Sequence, residues 1–356
     1  MRNALIISIA IVLITSCRER FDFEYGAVPD GKVVVDGFIT DRATNHAVRV
    51  SYSTTINDRD QVETLFVSDA SVRIYDDQGQ FTELTYDRSG LYRTAPLYKA
   101  EEGRSYRLEV VLANGEVYES PFKTMPPASP ARVELTVAGG TQEIFSNNRF
   151  ADESGARVTT QVAQDGQTHY YQWLTGRYYI FDAADAGDFD NEMYRYCYVR
   201  DFDPQVINLL KDSPLSASTA TTYEVELDFI PLSGNMYRDY GVEARLLTLN
   251  RDDFEFWELV QDLYENSGGL FDAAPFSLRG NVTNSQTGEV TLGYFGVYRE
   301  SMDRHFFLYD ELGFPRIDFI PCFVPRPPSL PHPCMDCRLA QLEENYGINR
   351  PEWWGN

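Results

Sequence analysis

The chain has 356 residues, of which 54 are acidic and 31 basic, giving a formal charge of −23. This charge argues against binding of nucleic acid or anionic lipid through the protein surface, because both carry negative charge themselves. Aromatic residues make up 14% of the chain, which favours β-structure with a large core, and the length suffices for two domains.

Residues 1–16 have the pattern of a bacterial signal peptide. Arg2 supplies the positive charge, and the apolar run from Ala4 to Ile14 is too short to span a bilayer. The following Cys17 completes a lipobox-like segment, so we expect cleavage before it and attachment of acyl chains such as palmitate. Several acyl chains would hold the protein firmly on a membrane, with residues 17–31 as a tether. The alternative is an ordinary secretory peptide followed by a chance cysteine.

Residues 32–124 are predicted to form an immunoglobulin-like β-sandwich. Short apolar or alternating segments are separated by turn residues, and Asn114-Gly115 is a strong hairpin signal. The predicted strands are Val33 to Ile39, Ala47 to Tyr52, Ala70 to Tyr75, Phe81 to Tyr86, Ser105 to Leu112 and Glu116 to Phe122. A module of this kind is more often a spacer or docking unit than a catalyst.

Residues 125–130 contain three prolines and are predicted to be a linker. Residues 131–320 then form a second, larger β-rich domain. Its predicted strands are residues 131–137, 169–179, 194–199, 223–230, 240–249, 290–298, 304–309 and 316–320. The polar residues 147–167 are expected to be loops, and residues 204–215 a short helix or a loop.

One main α-helix is predicted over Arg251–Glu265. Asn250 is a good N-cap, acidic residues follow in the first turn, and apolar residues recur at helical spacing. A single helix in a β domain usually covers the sheet. A second hypothesis is that the loop after it faces a partner or ligand. The candidate contact residues in this loop are Leu270, Phe271, Asp272 and Asn281.

The proline-rich residues 321–356 are predicted to run as an extended C-terminal tail whose end is docked by two tryptophans. Besides Cys17, four cysteines remain as disulfide candidates: Cys197, Cys322, Cys334 and Cys337. Their three possible pairings stay open, although we expect the tail to be pinned through Cys197. A zinc site using the tail cysteines and His332 is an alternative, whereas a redox role lacks the usual helix context.

The sequence shows no zinc-protease, nucleophile-elbow or phosphate-loop motif. We therefore predict that the protein is not an enzyme and has no cofactor. Asp185, Asp188 and Asp190 are close enough in sequence to bind Ca²⁺, but the EF-hand pattern is absent and a solvated loop explains them better. His169 lies beside three aromatic residues, which are either a ligand-stacking wall or a strand that buries alternate rings.

The order and spacing of several segments resemble a family of Bacteroidetes outer-membrane lipoproteins, catalogued as domain of unknown function 4249. The matching segments are the lipobox at Cys17, Val33 to Gly37 with Thr40-Asp41, Phe256-Trp257, Gly269 to Asp272, Arg279 to Asn281, Leu292 to Phe295, Cys334 to Cys337, and Arg350 to Trp353. The resemblance implies a lipid-anchored outer-membrane protein, with possible exposure on the cell surface. It also implies an accessory binding subunit of a TonB-dependent receptor, active in substrate capture or uptake. The alternative is a structural or assembly scaffold in an envelope complex.

Overall fold

The structure, a computed structural model, describes residues 31–53, 65–146, 149–183, 192–202, 207–212, 222–265, 279–315, 334, 336–340 and 346–354. In these ranges the chain is mostly β, as predicted, and carries a single α-helix, α1 (Arg251–Glu265). The strands are β1 (Val33–Thr40), β2 (Ala47–Tyr52), β3 (Leu65–Phe66), β4 (Ser71–Asp76), β5 (Phe81–Arg88), β6 (Leu91–Arg93), β7 (Ser105–Val111), β8 (Val117–Glu119), β9 (Lys123–Thr124), β10 (Leu135–Ser146), β11 (Arg149–Ala163), β12 (His169–Asp182), β13 (Tyr196–Asp201), β14 (Asn208–Asp212), β15 (Thr222–Pro231), β16 (Tyr240–Leu249), β17 (Thr283–Asn284), β18 (Phe295–Phe307) and β19 (Tyr346–Gly347).

The N-terminal strands enclose one apolar core. Alternate residues of β4 and β7 are buried there, as the period of two in their sequences predicts. The turn at Gly115 has a φ of +87°, which favours glycine. The same core also contains Val282, Phe295 and Val297 from much later in the chain. A division at residues 125–130 therefore does not describe the full content of this core.

Strand β18 joins the N-terminal unit, which is formed by strands β1 to β9, to the rest of the molecule. Its first residues pair in parallel with β1, from Gly37 opposite Phe295 to Thr40 opposite Tyr298. The remainder pairs antiparallel with β16. The prediction of two separate strands over residues 290–298 and 304–309 is thus wrong, since one strand runs through the charged residues between them.

A second core lies between the central strands and a three-stranded sheet of order β10-β11-β15. In β16, Val242, Ala244 and Leu246 face this core. Side chains alternate across a strand, so Glu243 and Arg245 lie on the opposite face of the central sheet. That face becomes the floor of the candidate site.

Two stretches predicted as irregular are strands. Residues 147–167, expected to be loops, contain β11, which pairs with β10 along its length and with β15. The polar composition is misleading because the distal part of this hairpin extends past β15 and has one exposed face. Residues 204–215 contain β14, paired with β12.

Helix α1 confirms the predicted bounds. The amide of Asn250 donates to the carbonyl of Thr124, 2.8 Å away. Asp253 in the first turn is fully buried and meets Lys123 of β9 at 2.8 Å. The helix therefore contacts the end of the N-terminal unit as well as covering the sheet.

The C-terminal tail is attached to the central sheet at β13. A disulfide joins Cys197 of β13 to Cys337, which confirms the expected attachment through Cys197. Strand β19 pairs with the same strand. Trp354 is buried against Tyr178, as expected for a docked tail.

No helix in the described ranges is both long and apolar enough to cross a membrane.

Candidate functional site: an arginine-lined cleft

The polar face of the central sheet is organised by register. Glu243 of β16 lies directly opposite Arg304 of β18. Tyr178 of β12 lies opposite Arg200 of β13. Because strand neighbours on one face stand about 5 Å apart, these four side chains form one continuous patch.

This patch is the floor of a cleft with a volume of about 460 Å³. The turn between β1 and β2 supplies a second wall, which includes Arg42 and His46, and the C-terminal tail contributes Trp353. The lining residues are Phe38, Arg42, Thr44, Asn45, His46, Ala47, Arg93, Tyr178, Arg200, Glu243, Arg245, Arg304 and Trp353. The cleft is therefore built by both units and by the tail together.

Glu243 is the centre of the first ion network. It accepts a hydrogen bond from the Tyr178 hydroxyl at 2.7 Å and another from Arg304 Nε at 3.1 Å. Burial alone would raise the pKa of Glu243, but these donors and the charge of Arg200 outweigh it and lower the pKa. Burial, together with the charge of Glu243, raises the pKa of Tyr178 to about 12. Tyr178 therefore remains a donor at neutral pH.

Glu300 is the centre of the second ion network, which lies below the wall formed by the turn between β1 and β2. Arg245 binds it through two parallel hydrogen bonds of 2.8 and 2.9 Å. Thr40 donates at 2.9 Å and Arg42 at 3.2 Å. Burial would raise the pKa of Glu300, but the partnership with Arg245, Thr40 and Arg42 lowers it. The carboxylate is therefore ionised and holds Arg245 and Arg42 in place.

Other arginines reach further into solvent. The side chain of Arg42 is 41% exposed and that of Arg200 is 50% exposed. Arg200 contacts Glu243 only at 3.5 Å, and Arg93 pairs with Asp87 at 2.8 Å. These pairs leave the five arginines of the cleft in excess over their carboxylate partners.

His46 adds no charge to the cleft at neutral pH. Burial lowers the pKa of His46, and its Nε2 lies 3.2 Å from the carbonyl of Tyr98. The arginines thus supply the positive charge in a chain whose net charge is −23.

Trp353 stacks on one of these arginines. Its ring lies 4.2 Å from the Arg304 guanidinium carbon, which is a cation–π contact. The disulfide between Cys197 and Cys337 holds the tail near this position. The cleft therefore has a cationic floor and one aromatic wall.

Most residues singled out from sequence lie outside the described ranges: Cys17, Asp185, Asp188, Asp190, Leu270, Phe271, Asp272 and Cys322. Asn281 is described, and its side chain bonds both backbone groups of Phe295 at 2.8 Å. These contacts give Asn281 a structural role at the start of β18. Cys334 is disulfide-bonded.

Metal binding by the tail cysteines is not compatible with this arrangement, because Cys337 is committed to a disulfide. Within the described ranges, no group of three or more His, Cys, Asp or Glu side chains is placed to hold a metal ion. His169 is buried 3.0 Å from Asp165. Its neighbours Tyr171 and Trp173 belong to the second core, which supports the buried-strand interpretation.

The cleft has no counterpart among the sites predicted from the sequence. Its floor comes from strands that are far apart in sequence, and no local motif spans them. The available signal was a glutamate and an arginine at alternate positions in the otherwise apolar β16. Such charges indicate that one face of the strand packs on a core, while the opposite face carries polar side chains.

The fold and the site together define a β-rich protein with a cationic cleft, which is lined by the central sheet, the turn after β1 and the C-terminal tail. A family model described as domain of unknown function (DUF4249) matches residues 18–304. The chain belongs to that family. No curated protein matches the chain.

Proposed function

We propose that this protein is a lipid-anchored binding protein of the outer membrane, an accessory subunit of a TonB-dependent receptor. In this role it captures a ligand outside the receptor and presents it for uptake. The signal-peptide pattern and Cys17 support the membrane address, and the family resemblance supports exposure on the cell surface. The family resemblance supports the receptor as partner.

The cleft is the observation that carries the binding role. Its volume of about 460 Å³ lies within the range typical of small-molecule sites, roughly 300–1,000 Å³. Ligand sites occur preferentially between domains, and this one is walled by both units and by the tail. Its floor holds the charges of Arg245 and Arg304 in fixed positions, which suits the binding of a ligand.

A second candidate is a structural or assembly role. The hairpin of β10 and β11 carries Phe145 and Phe150 opposite each other near its end. Both rings are exposed, and they contact each other at 5.1 Å between centroids. An exposed aromatic pair on a projecting ribbon is a feature that suits a protein contact.

The test is an affinity purification of the tagged, mature protein from its native membrane in mild detergent. We expect a TonB-dependent receptor in stoichiometric amount. A Cys17→Ala variant should leave the membrane fraction and lose the receptor. Recovery of envelope assembly proteins instead, sensitive to Phe145→Ser and Phe150→Ser, would favour the scaffold. Absence of any stoichiometric partner would contradict both.

A further inference from the structure

We infer that the arginine-lined cleft binds a small ligand bearing two or more anionic groups, such as carboxylate, phosphate or sulfate. The inference deepens the proposed function and rests on the cleft being its ligand site. Local charge, the geometry of the donors and the size of the cleft all favour such a ligand.

The charge of the cleft is opposite to that of the protein. The chain carries a formal charge of −23, yet five arginines line this one cavity. The negatively charged protein as a whole repels anions. An anion would therefore bind only where several cationic side chains lie together. A cleft with walls of one sign focuses the field on its interior.

The donors are divided into two layers. Arg245 and Arg304 lie on the floor, where Glu300 and Glu243 bind them and fix their orientation. Arg42 and Arg200 are tied to the same two glutamates by one edge, at 3.2 and 3.5 Å, and are about half exposed. A guanidinium has five N–H donors in a planar fork, so both keep donors for a ligand. That fork matches carboxylate, phosphate and sulfate oxygens.

The buried glutamates offset only part of the arginine charge of this site. Glu243 and Glu300 are covered by their own arginine and hydroxyl partners, with side chains 1% and 0% exposed. A ligand would therefore meet guanidinium groups before it meets either carboxylate. Holding long arginine side chains in place before binding also reduces the entropy lost when the ligand arrives.

The size and the aromatic wall restrict the ligand further. A cavity of about 460 Å³ suits a small molecule better than a folded protein surface. Trp353 presents a ring beside the arginines and is partly exposed. The ligand is thus expected to combine anionic groups with a ring or apolar portion that packs on this indole.

The experiment is isothermal titration calorimetry on the whole mature protein with its disulfides intact. Cys17 is replaced by alanine to keep the protein soluble. The probes are citrate, inorganic pyrophosphate and sulfate, which separate carboxylate, phosphate and sulfate chemistry. We expect saturable binding of at least one probe that weakens with added salt. Arg42→Gln and Arg200→Gln should each weaken it about tenfold.

The matched control is Arg251→Gln, which removes the same charge from an exposed position on α1. It should leave the affinity unchanged. Thermal melts of each variant verify folding, and Arg42→Lys separates loss of the fork from loss of charge. Glutamate hexapeptide is a further probe for an acidic protein segment.

Three results would overturn the inference: no binding of any probe, equal affinity of the cleft and control variants, or binding of the peptide alone. Each is independent of receptor copurification. A receptor partner without anion binding would therefore leave the proposed function standing and remove only the ligand class.

Discussion

A buried ion pair between helix α1 and the N-terminal unit provides a sharp test of the structure. Lys123 Nζ lies 2.8 Å from Asp253 Oδ1, and the side chains are 13% and 0% exposed. The Tyr294 hydroxyl donates to the same oxygen at 2.6 Å. Burial, followed by the charge of Asp253, raises the pKa of Tyr294, so the phenol stays protonated and serves as this donor.

The perturbation is Asp253→Asn, which keeps the shape and removes the charge. Breaking a buried pair by removing one partner costs about 3–5 kcal/mol, because the other charge is left buried. An amide oxygen still accepts from Tyr294, and Lys123 retains its 2.7 Å contact with that hydroxyl. We therefore expect the lower limit, about 3 kcal/mol of unfolding free energy. At about 2 °C per kcal/mol for a chain of this size, Tm falls by about 6 °C.

The assay is thermal unfolding followed by circular dichroism, with a double-mutant cycle. Lys123→Met alone should destabilise at least as much, because it leaves the Asp253 carboxylate buried without its cation. The double variant should be less destabilised than the two single effects combined. The control is Glu255→Gln, which breaks the exposed pair with Arg251 on the same helix and should leave Tm nearly unchanged, because solvent screens such a pair.

Equal stability of Asp253→Asn and Glu255→Gln would refute the reasoning. It would mean that Asp253 is not held between the helix and the N-terminal unit as the structure has it. Strict additivity in the cycle would refute the pairing with Lys123.

Three further predictions concern the cleft and its supports. Replacing Cys197 and Cys337 together by serine opens a covalent loop across a sequence separation of 140 residues; we expect a loss of about 4 kcal/mol and faster proteolysis of the tail. Gly241→Ala places a Cβ 2.6 Å from the Phe306 ring beside the cleft floor. We expect a Tm lower by a few degrees and weaker binding of the anionic probes. An unchanged Tm and affinity would show that the ring moves freely. Both buried glutamates of the cleft have lowered pKa values. Their ionised carboxylates therefore stabilise the folded state above about pH 4.5. This stabilisation is lost as the pH falls through the folded-state pKa. The Tm difference between wild type and Glu300→Gln should therefore shrink in acid, and a difference independent of pH would contradict the assignment.

Elements with a strong local period were predictable from the sequence. Residues 240–249 and 251–265 have the predicted bounds in the structure, because an apolar run and a helical repeat end at clear polar signals. Strand β11 was missed because its distal half projects from the core and is polar. Its strand character depends on pairing with β10 and β15, which is a tertiary effect that overrides local composition.

The cleft was not predictable because it depends on register between distant strands. A shift of one residue between β16 and β18 would turn Arg304 to the apolar core and separate it from Glu243. The charged middle of β18 resembles a loop when read alone. Its pairing with β16 explains why Glu300 and Arg304 occur there, since both lie on the face of the sheet that carries Glu243 and Arg245.

The same strand connects stability to binding. Its first half completes the N-terminal core, and its second half places Glu300 and Arg304 on the floor of the cleft. The wall residue Arg42 comes from the N-terminal unit but binds Glu300 of this strand. Any movement of one unit against the other must therefore alter the spacing between Arg42 and Arg304. A bound polyanion that contacts both would resist that movement, so ligand binding and the relative position of the two units are expected to be coupled.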